Sequence, residues 1–65
     1  MTPKQLIEHY PGGVAEAAQR LLVTRQAVSK WLKCQEIPAL RQLQIRDLTR
    51  GELRPSRAAL RELGL

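Results

Sequence analysis

The stretch from Val14 to Lys33 constrains the fold of this chain most, because two amphipathic patterns follow each other there with only a short break. In the first pattern Val14, Ala17, Ala18 and Leu21 recur at the spacing of a helix with one buried face. Ala18 lies where a second helix must approach closely at a steep angle, and a larger side chain there would hold the two helices apart. The pattern predicts two short helices joined by a tight turn.

The second helix of the pair is predicted to begin after Thr24, a residue type that caps helix N-termini well. At about 100° per residue, Ala27, Val28, Trp31 and Leu32 fall on one side of this helix. The opposite arc of roughly 140° holds only polar side chains. These are Arg25, Gln26, Ser29, Lys30 and Lys33. Such side chains can read bases in a DNA major groove, Arg and Lys at guanine, Gln at adenine and Ser at either. The pair therefore indicates a helix-turn-helix reader of double-stranded DNA.

Charge and size agree with this interpretation. The chain has 65 residues and a formal net charge of +5, which predicts one domain, residues 1–65, and a polyanionic partner such as nucleic acid or an anionic membrane surface. No apolar run approaches the roughly 20 residues of a membrane span, and the N-terminus lacks a signal-peptide layout. We therefore expect a cytoplasmic protein that binds no membrane.

Catalytic chemistry is not expected from these residues. Cys34 is the only cysteine, which excludes an internal disulfide and multi-cysteine zinc patterns. His9 is the only histidine, and there is no glycine-rich phosphate loop and no carboxylate pair in an apolar setting. Nothing assembles a nucleophile with a base, so we expect no enzyme activity, no cofactor, no metal and no small-molecule substrate.

The rest of the chain is predicted to be helical as well. Further helices are expected at about Pro3 to Tyr10, Ala39 to Thr49 and Arg57 to Leu63. Residues 50–56 read as an extended connection, because paired runs of alternating β-branched residues are missing. The predicted fold is all-α with five short helices.

At this point the residues carry a resemblance. Over residues 13–54 the chain resembles the Cro repressors of lambdoid phages and is similar to the related YdaS-type antitoxins. The resemblance rests on Gly13-Val14, Ala17-Ala18, the turn before Thr24, the run from Gln26 to Trp31, and Ile37-Pro38. It implies a lambda-repressor-like, Cro-like helix-turn-helix domain that acts as a transcriptional repressor on a short symmetric operator.

The resemblance also implies roles for single residues. Base reading falls to Arg25, Gln26, Ser29 and Lys30, and Thr24 sits at the phosphate-facing start of the recognition helix. Such turns usually hold a glycine where this chain has Leu22. Either Leu22 takes a left-handed conformation, at a cost on the order of 1 kcal/mol, or the turn has another geometry.

Further phosphate contacts are expected from Lys33, Arg41 and the amide end of the first helix of the pair, at Val14. For Arg41 an ordinary solvated side chain is an equally good interpretation. We expect a weak homodimer, since one recognition helix reads few bases. Its contact is predicted in the segment from Ile45 onward, which offers Ile45, Leu48, Leu53, Leu60 and Leu63.

Two other functions stay open at this stage. Residues 50–65 are either a core-covering or dimerisation element or, in an antitoxin-like regulator, the segment that holds a partner protein. The other alternative is an RNA or protein interaction module in which the basic face is incidental. Single-strand RNA readers usually display aromatic stacking platforms, whereas Tyr10 and Trp31, the only aromatics besides His9, are predicted to be buried.

Overall fold

The computed structural model describes residues 1–65 as five helices without a strand, which confirms the predicted all-α fold. The elements are α1 (Pro3–His9), α2 (Gly13–Leu21), α3 (Arg25–Cys34), α4 (Ala39–Leu48) and α5 (Arg57–Glu62). Tyr10, Thr49 and Leu63, which were predicted to be helical, are the C-cap residues of α1, α4 and α5. No helix is both long enough and apolar enough to cross a membrane.

Hydroxyl side chains fix the start of three helices. The Thr24 Oγ1 atom accepts a hydrogen bond from the Ala27 amide at 3.1 Å, and the Ser56 Oγ atom accepts one from the Ala59 amide at 3.1 Å. At α1, Thr2 and Gln5 bond reciprocally as a capping box. Each cap satisfies an amide of the first turn, so these start points follow from local chemistry.

The core lies where α1, α2 and α3 pack together. Ala17 and Ala18 are buried at the contact of α2 with α3, as their small size predicts, and Trp31 is only 7% exposed. The apolar arc predicted for α3 was too wide at one edge, because Leu32 is exposed. Tyr10 is half-buried at the rim of the core rather than buried. The buried core comprises Leu6, Ala17, Ala18, Leu21, Val28, Trp31, Ile37 and Ile45.

Two buried polar residues, Gln42 of α4 and its C-cap residue Thr49, hold the chain that follows the helix. The Gln42 Nε2 atom donates to the Ile37 carbonyl at 2.8 Å, and the Gln42 Oε1 atom accepts from the Ser56 amide at 2.9 Å. The Thr49 hydroxyl donates to the Ile45 carbonyl at 2.8 Å and accepts from the Leu53 amide at 3.2 Å. Side-chain hydrogen bonds therefore pair the backbone amides of Leu53 and Ser56, which would otherwise need partners such as a neighbouring β-strand.

The turn between α2 and α3 has the left-handed geometry, which is the first of the two alternatives left open for Leu22. Leu22 has φ 59° and ψ 41°, and its amide bonds back to the carbonyls of Ala18 and Gln19. The amide of Val23 also reaches the Ala18 carbonyl, at 3.0 Å. The Leu22 side chain is 89% exposed, so little packing offsets the strain of this conformation.

Replacing Leu22 with glycine is therefore expected to stabilise the protein by about 0.5 to 1 kcal/mol, since glycine takes a positive φ without strain. Urea unfolding followed by circular dichroism measures the change. The matched control is Gln19→Gly, an exposed position inside α2, where glycine should cost about 1 kcal/mol. A Leu22→Gly protein that unfolds at lower urea than the parent would show that the leucine side chain outweighs the strain.

Candidate nucleic-acid interface

One face of α3 gathers the polar side chains that the sequence singled out. All five are exposed and line a single open depression on the surface. None of them takes part in a side-chain hydrogen bond or an ion pair within the chain. Their donors and acceptors are therefore free for an external partner. This recognition face consists of Arg25, Gln26, Ser29, Lys30 and Lys33.

Packing on the opposite side of α3 fixes the direction of this face. Val28 is fully buried and Trp31 nearly so, and α3 packs against both α1 and α2. The Thr24 cap sets the first turn, so Arg25 and Gln26 lie at the exposed start of the helix. A rotation of α3 would expose the Trp31 ring, and the recognition face is held outward as a result.

The electrostatics of this region are one-sided. No acidic residue occurs between Glu16 and Glu36, whereas Arg20, Arg25, Lys30 and Lys33 all lie in that interval. An ordinary solvated helix surface mixes both signs of charge, so this distribution favours a polyanion at α3.

Arg41 lies outside the recognition face. It is half-buried in the first turn of α4, and its Nη1 atom donates to the Gln44 Oε1 atom at 2.7 Å. The Gln44 Nε2 atom in turn donates to the Leu21 carbonyl at the end of α2, at 3.1 Å. These two hydrogen bonds hold Arg41 near the C-terminal end of α2, and most of its guanidinium donors make no bond within the chain.

Val14 also lies outside the recognition face, half-buried in the first turn of α2. The carboxylate of Glu16 already serves this helix N-terminus, because it accepts a hydrogen bond from the Gly12 amide at 2.7 Å. The same carboxylate lies 3.5 Å from the Arg20 guanidinium. A phosphate approaching the Val14 amide would therefore meet the Glu16 carboxylate. Glu16 was not predicted to belong to the site, although its spacing of four residues from Gly12 is visible in the sequence.

Comparison with known proteins places this geometry in context. Residues 2–63 match the family model described as DNA-binding transcriptional regulator Cro. Among solved structures, the chain is similar to N15 Cro complexed with consensus operator DNA, with 37% sequence identity, full coverage of both chains and a TM-score of 0.79. No curated protein sequence matches the chain significantly.

Proposed function

The chain belongs to the Cro family of DNA-binding transcriptional regulators, and we propose that it represses transcription as a dimer on a short symmetric operator, with α3 in the major groove. The observation that carries this proposal is the recognition face, five exposed side chains without partners in the chain on one side of one helix. Repression needs no chemistry, because a bound dimer excludes polymerase from the DNA that it covers. N15 Cro, the similar protein of known structure, is seen with its consensus operator.

Base reading is assigned to the part of the recognition face nearest the start of α3. Recognition helices present their N-terminal residues to base edges. Arg25 supplies the fork that binds guanine O6 and N7, and Gln26 supplies the amide that binds adenine N6 and N7. Ser29 and Lys30, one turn further on, reach the next base pairs along the groove.

Phosphate binding is assigned to groups that surround the base-reading residues of α3. Lys33 lies at the far end of the recognition face, and we assign Thr24 and the first amides of α3 to the DNA backbone at the other end. Arg41 contributes its free donors from α4, whereas the Glu16 carboxylate at the start of α2 disfavours the phosphate contact expected at the Val14 amide. Such contacts set the register of the protein on DNA but carry no sequence information.

Dimerisation follows from how few bases one helix contacts. A helix in one major groove reads a half-site of a few base pairs, and two half-sites about one helical turn apart give the specificity that a genome requires. The recognition faces of two copies would then read successive grooves on one side of the duplex. We expect the free dimer to be weak and operator DNA to strengthen it.

The phosphate assignments predict losses that do not depend on sequence. Lys33→Gln and Arg41→Gln should each weaken binding to operator and to random duplex alike, and each should reduce the magnitude of the negative slope of log K against log salt by about 0.9 per bound copy. Fluorescence anisotropy between 50 and 200 mM salt, a range of about fourfold, measures this slope. Arg61→Gln removes the same charge from α5 and should leave the slope unchanged. Equal slopes for all four proteins would remove Lys33 and Arg41 from the backbone contacts.

Repression itself is tested by transcription in vitro. On a promoter that overlaps the selected operator, run-off transcript should fall by half at the protein concentration that fills half of the operator. The control promoter carries the same operator well upstream of the polymerase site and should be unaffected. Full occupancy of the overlapping operator with normal transcript levels would contradict occlusion.

A further inference from the structure

Two consecutive hydrogen bonds link the first turn of α4 to the end of α2. The Arg41 Nη1 atom donates to the Gln44 Oε1 atom at 2.7 Å, and the Gln44 Nε2 atom donates to the Leu21 carbonyl at 3.1 Å. A guanidinium only donates and a carbonyl only accepts, so both partners fix the same orientation of the Gln44 amide. Leu21 is the last residue of α2, and Thr24 caps α3 shortly after it. Gln44 therefore ties Arg41 to the segment from which the recognition helix starts.

We propose that Gln44 is a positioning residue for DNA binding, which directs the guanidinium of Arg41 toward a phosphate and keeps it in register with the recognition face. The inference rests on the proposed function, because it needs Arg41 to contact the DNA backbone. Gln44 contacts no DNA in this arrangement and acts only through Arg41.

The amide of Gln44 holds the guanidinium of Arg41 without cancelling its charge. Arg20 lies 3.5 Å from the carboxylate of Glu16, and Arg46 lies 3.2 Å from the carboxylate of its neighbour in sequence. Arg41 forms no ion pair within the chain, and its side-chain bond goes to a neutral group. Most of its N–H donors and its full positive charge therefore remain available to the oxygens of a phosphate.

Packing of α4 fixes the position of Gln44 itself. Ile45 was predicted to be available for a dimer contact, and that prediction was wrong because it is fully buried in the core. Gln42 is buried as well, so the two residues set the rotation of α4 about its axis. Among the helices, α4 packs against α2 and α5, whereas the recognition helix packs against α1 and α2. The bond from Gln44 to Leu21 is the side-chain hydrogen bond that joins α4 to the helix-turn-helix.

Ordering Arg41 in the free protein favours its contact with DNA. A long side chain that becomes ordered only on binding loses its rotamer freedom at that moment, which weakens binding. Arg41 is half-buried and already bonded, so part of this loss occurs during folding. The recognition face and Arg41 then have a fixed spacing, which favours the register on DNA in which bases and backbone are both contacted.

The first test is a double-mutant cycle on a duplex with one half-site, so that dimerisation does not enter. Gln44→Met keeps the size of the side chain and removes both hydrogen bonds. It should weaken binding on the order of fivefold, the effect of leaving one long side chain to be ordered on binding. In an Arg41→Gln background the same change should alter affinity by less than about twofold, because the residue through which Gln44 acts is gone. Gln19→Met, at an exposed position of α2, is the matched control and should have no effect.

The second test replaces the neutral partner of Arg41 by a charged one. Gln44→Glu keeps an oxygen that accepts from Arg41 but adds a negative charge and loses the donor to the Leu21 carbonyl. The carboxylate should offset the charge of Arg41 and reduce the magnitude of the salt slope by about 0.9 per bound copy, as Arg41→Gln does. Ala58→Glu adds the same charge at an exposed position of α5 and should leave the slope unchanged.

Parental affinity of Gln44→Met, or a loss equally large in the parent and in the Arg41→Gln background, would overturn the positioning role. A parental salt slope for Gln44→Glu would overturn it as well, and this slope decides the question even where Gln44→Met lowers stability in urea. These outcomes leave operator recognition standing. A parent protein that does not distinguish operator from random duplex would instead overturn the proposed function.

Discussion

Replacing Trp31 with alanine is expected to lower the free energy of unfolding by about 3 to 5 kcal/mol. Trp31 is the largest side chain in the core and is only 7% exposed on the packed side of α3. Small domains have a total stability near the lower end of about 5 to 15 kcal/mol, so only about 0 to 2 kcal/mol of stability should remain after the substitution. Urea unfolding at 25 °C, followed by the helical circular dichroism signal, measures the effect.

The control for this substitution is Leu32→Ala on the same helix. Leu32 is exposed, so its truncation should cost well under half of the Trp31→Ala value. Emission from the single tryptophan of the parent protein should be blue-shifted and poorly quenched by iodide. A Trp31→Ala protein that unfolds like Leu32→Ala would show that the α1, α2 and α3 core does not depend on the ring.

Replacing Arg25 with alanine is expected to cost about 1 to 3 kcal/mol of operator affinity and to relax the choice of base at one position in each half-site. The cause is loss of the guanidinium fork, which lies exposed and without a partner in the first turn of α3. Random duplex should lose only the smaller contribution of one positive charge. Anisotropy titrations on operator, single-base variants and random duplex give all three values.

Arg25→Lys is the informative companion, because it keeps the charge and removes the fork. It should bind random duplex like the parent and still lose discrimination at the same base position. If Arg25→Ala weakened operator and random duplex equally, or if Arg25→Lys kept full discrimination, Arg25 would be a backbone contact rather than a base reader.

Local chemistry explains which parts of the fold were predictable from the sequence. A capping hydroxyl such as Thr24 acts on the next few residues, and helical spacing alone places Trp31 on the buried side of α3. The turn at Leu22 was left open between a left-handed conformation and another geometry, because leucine disfavours the conformation that the resemblance implies, and the structure has the left-handed one.

Tertiary contacts explain what the sequence did not reveal. The apolar residues of α4 spread around the whole helix, so spacing alone did not show that Ile45 faces the core and Leu40 faces outward. Gln42 was not singled out from the sequence, because its partner, the Ser56 amide, lies 14 positions away. Arg41 was placed correctly on the first turn of α4, but its bond to Gln44 depends on a carbonyl of α2.

The central claim is that the recognition face of α3 reads base sequence in double-stranded DNA. Selection of duplexes from a random pool by the purified full chain tests this claim most directly. The account predicts a two-fold symmetric consensus with half-sites about one helical turn apart, each half containing a guanine whose selection disappears with Arg25→Ala. A pool that stays random after repeated selection, or a consensus that Arg25→Ala reproduces unchanged, would contradict it.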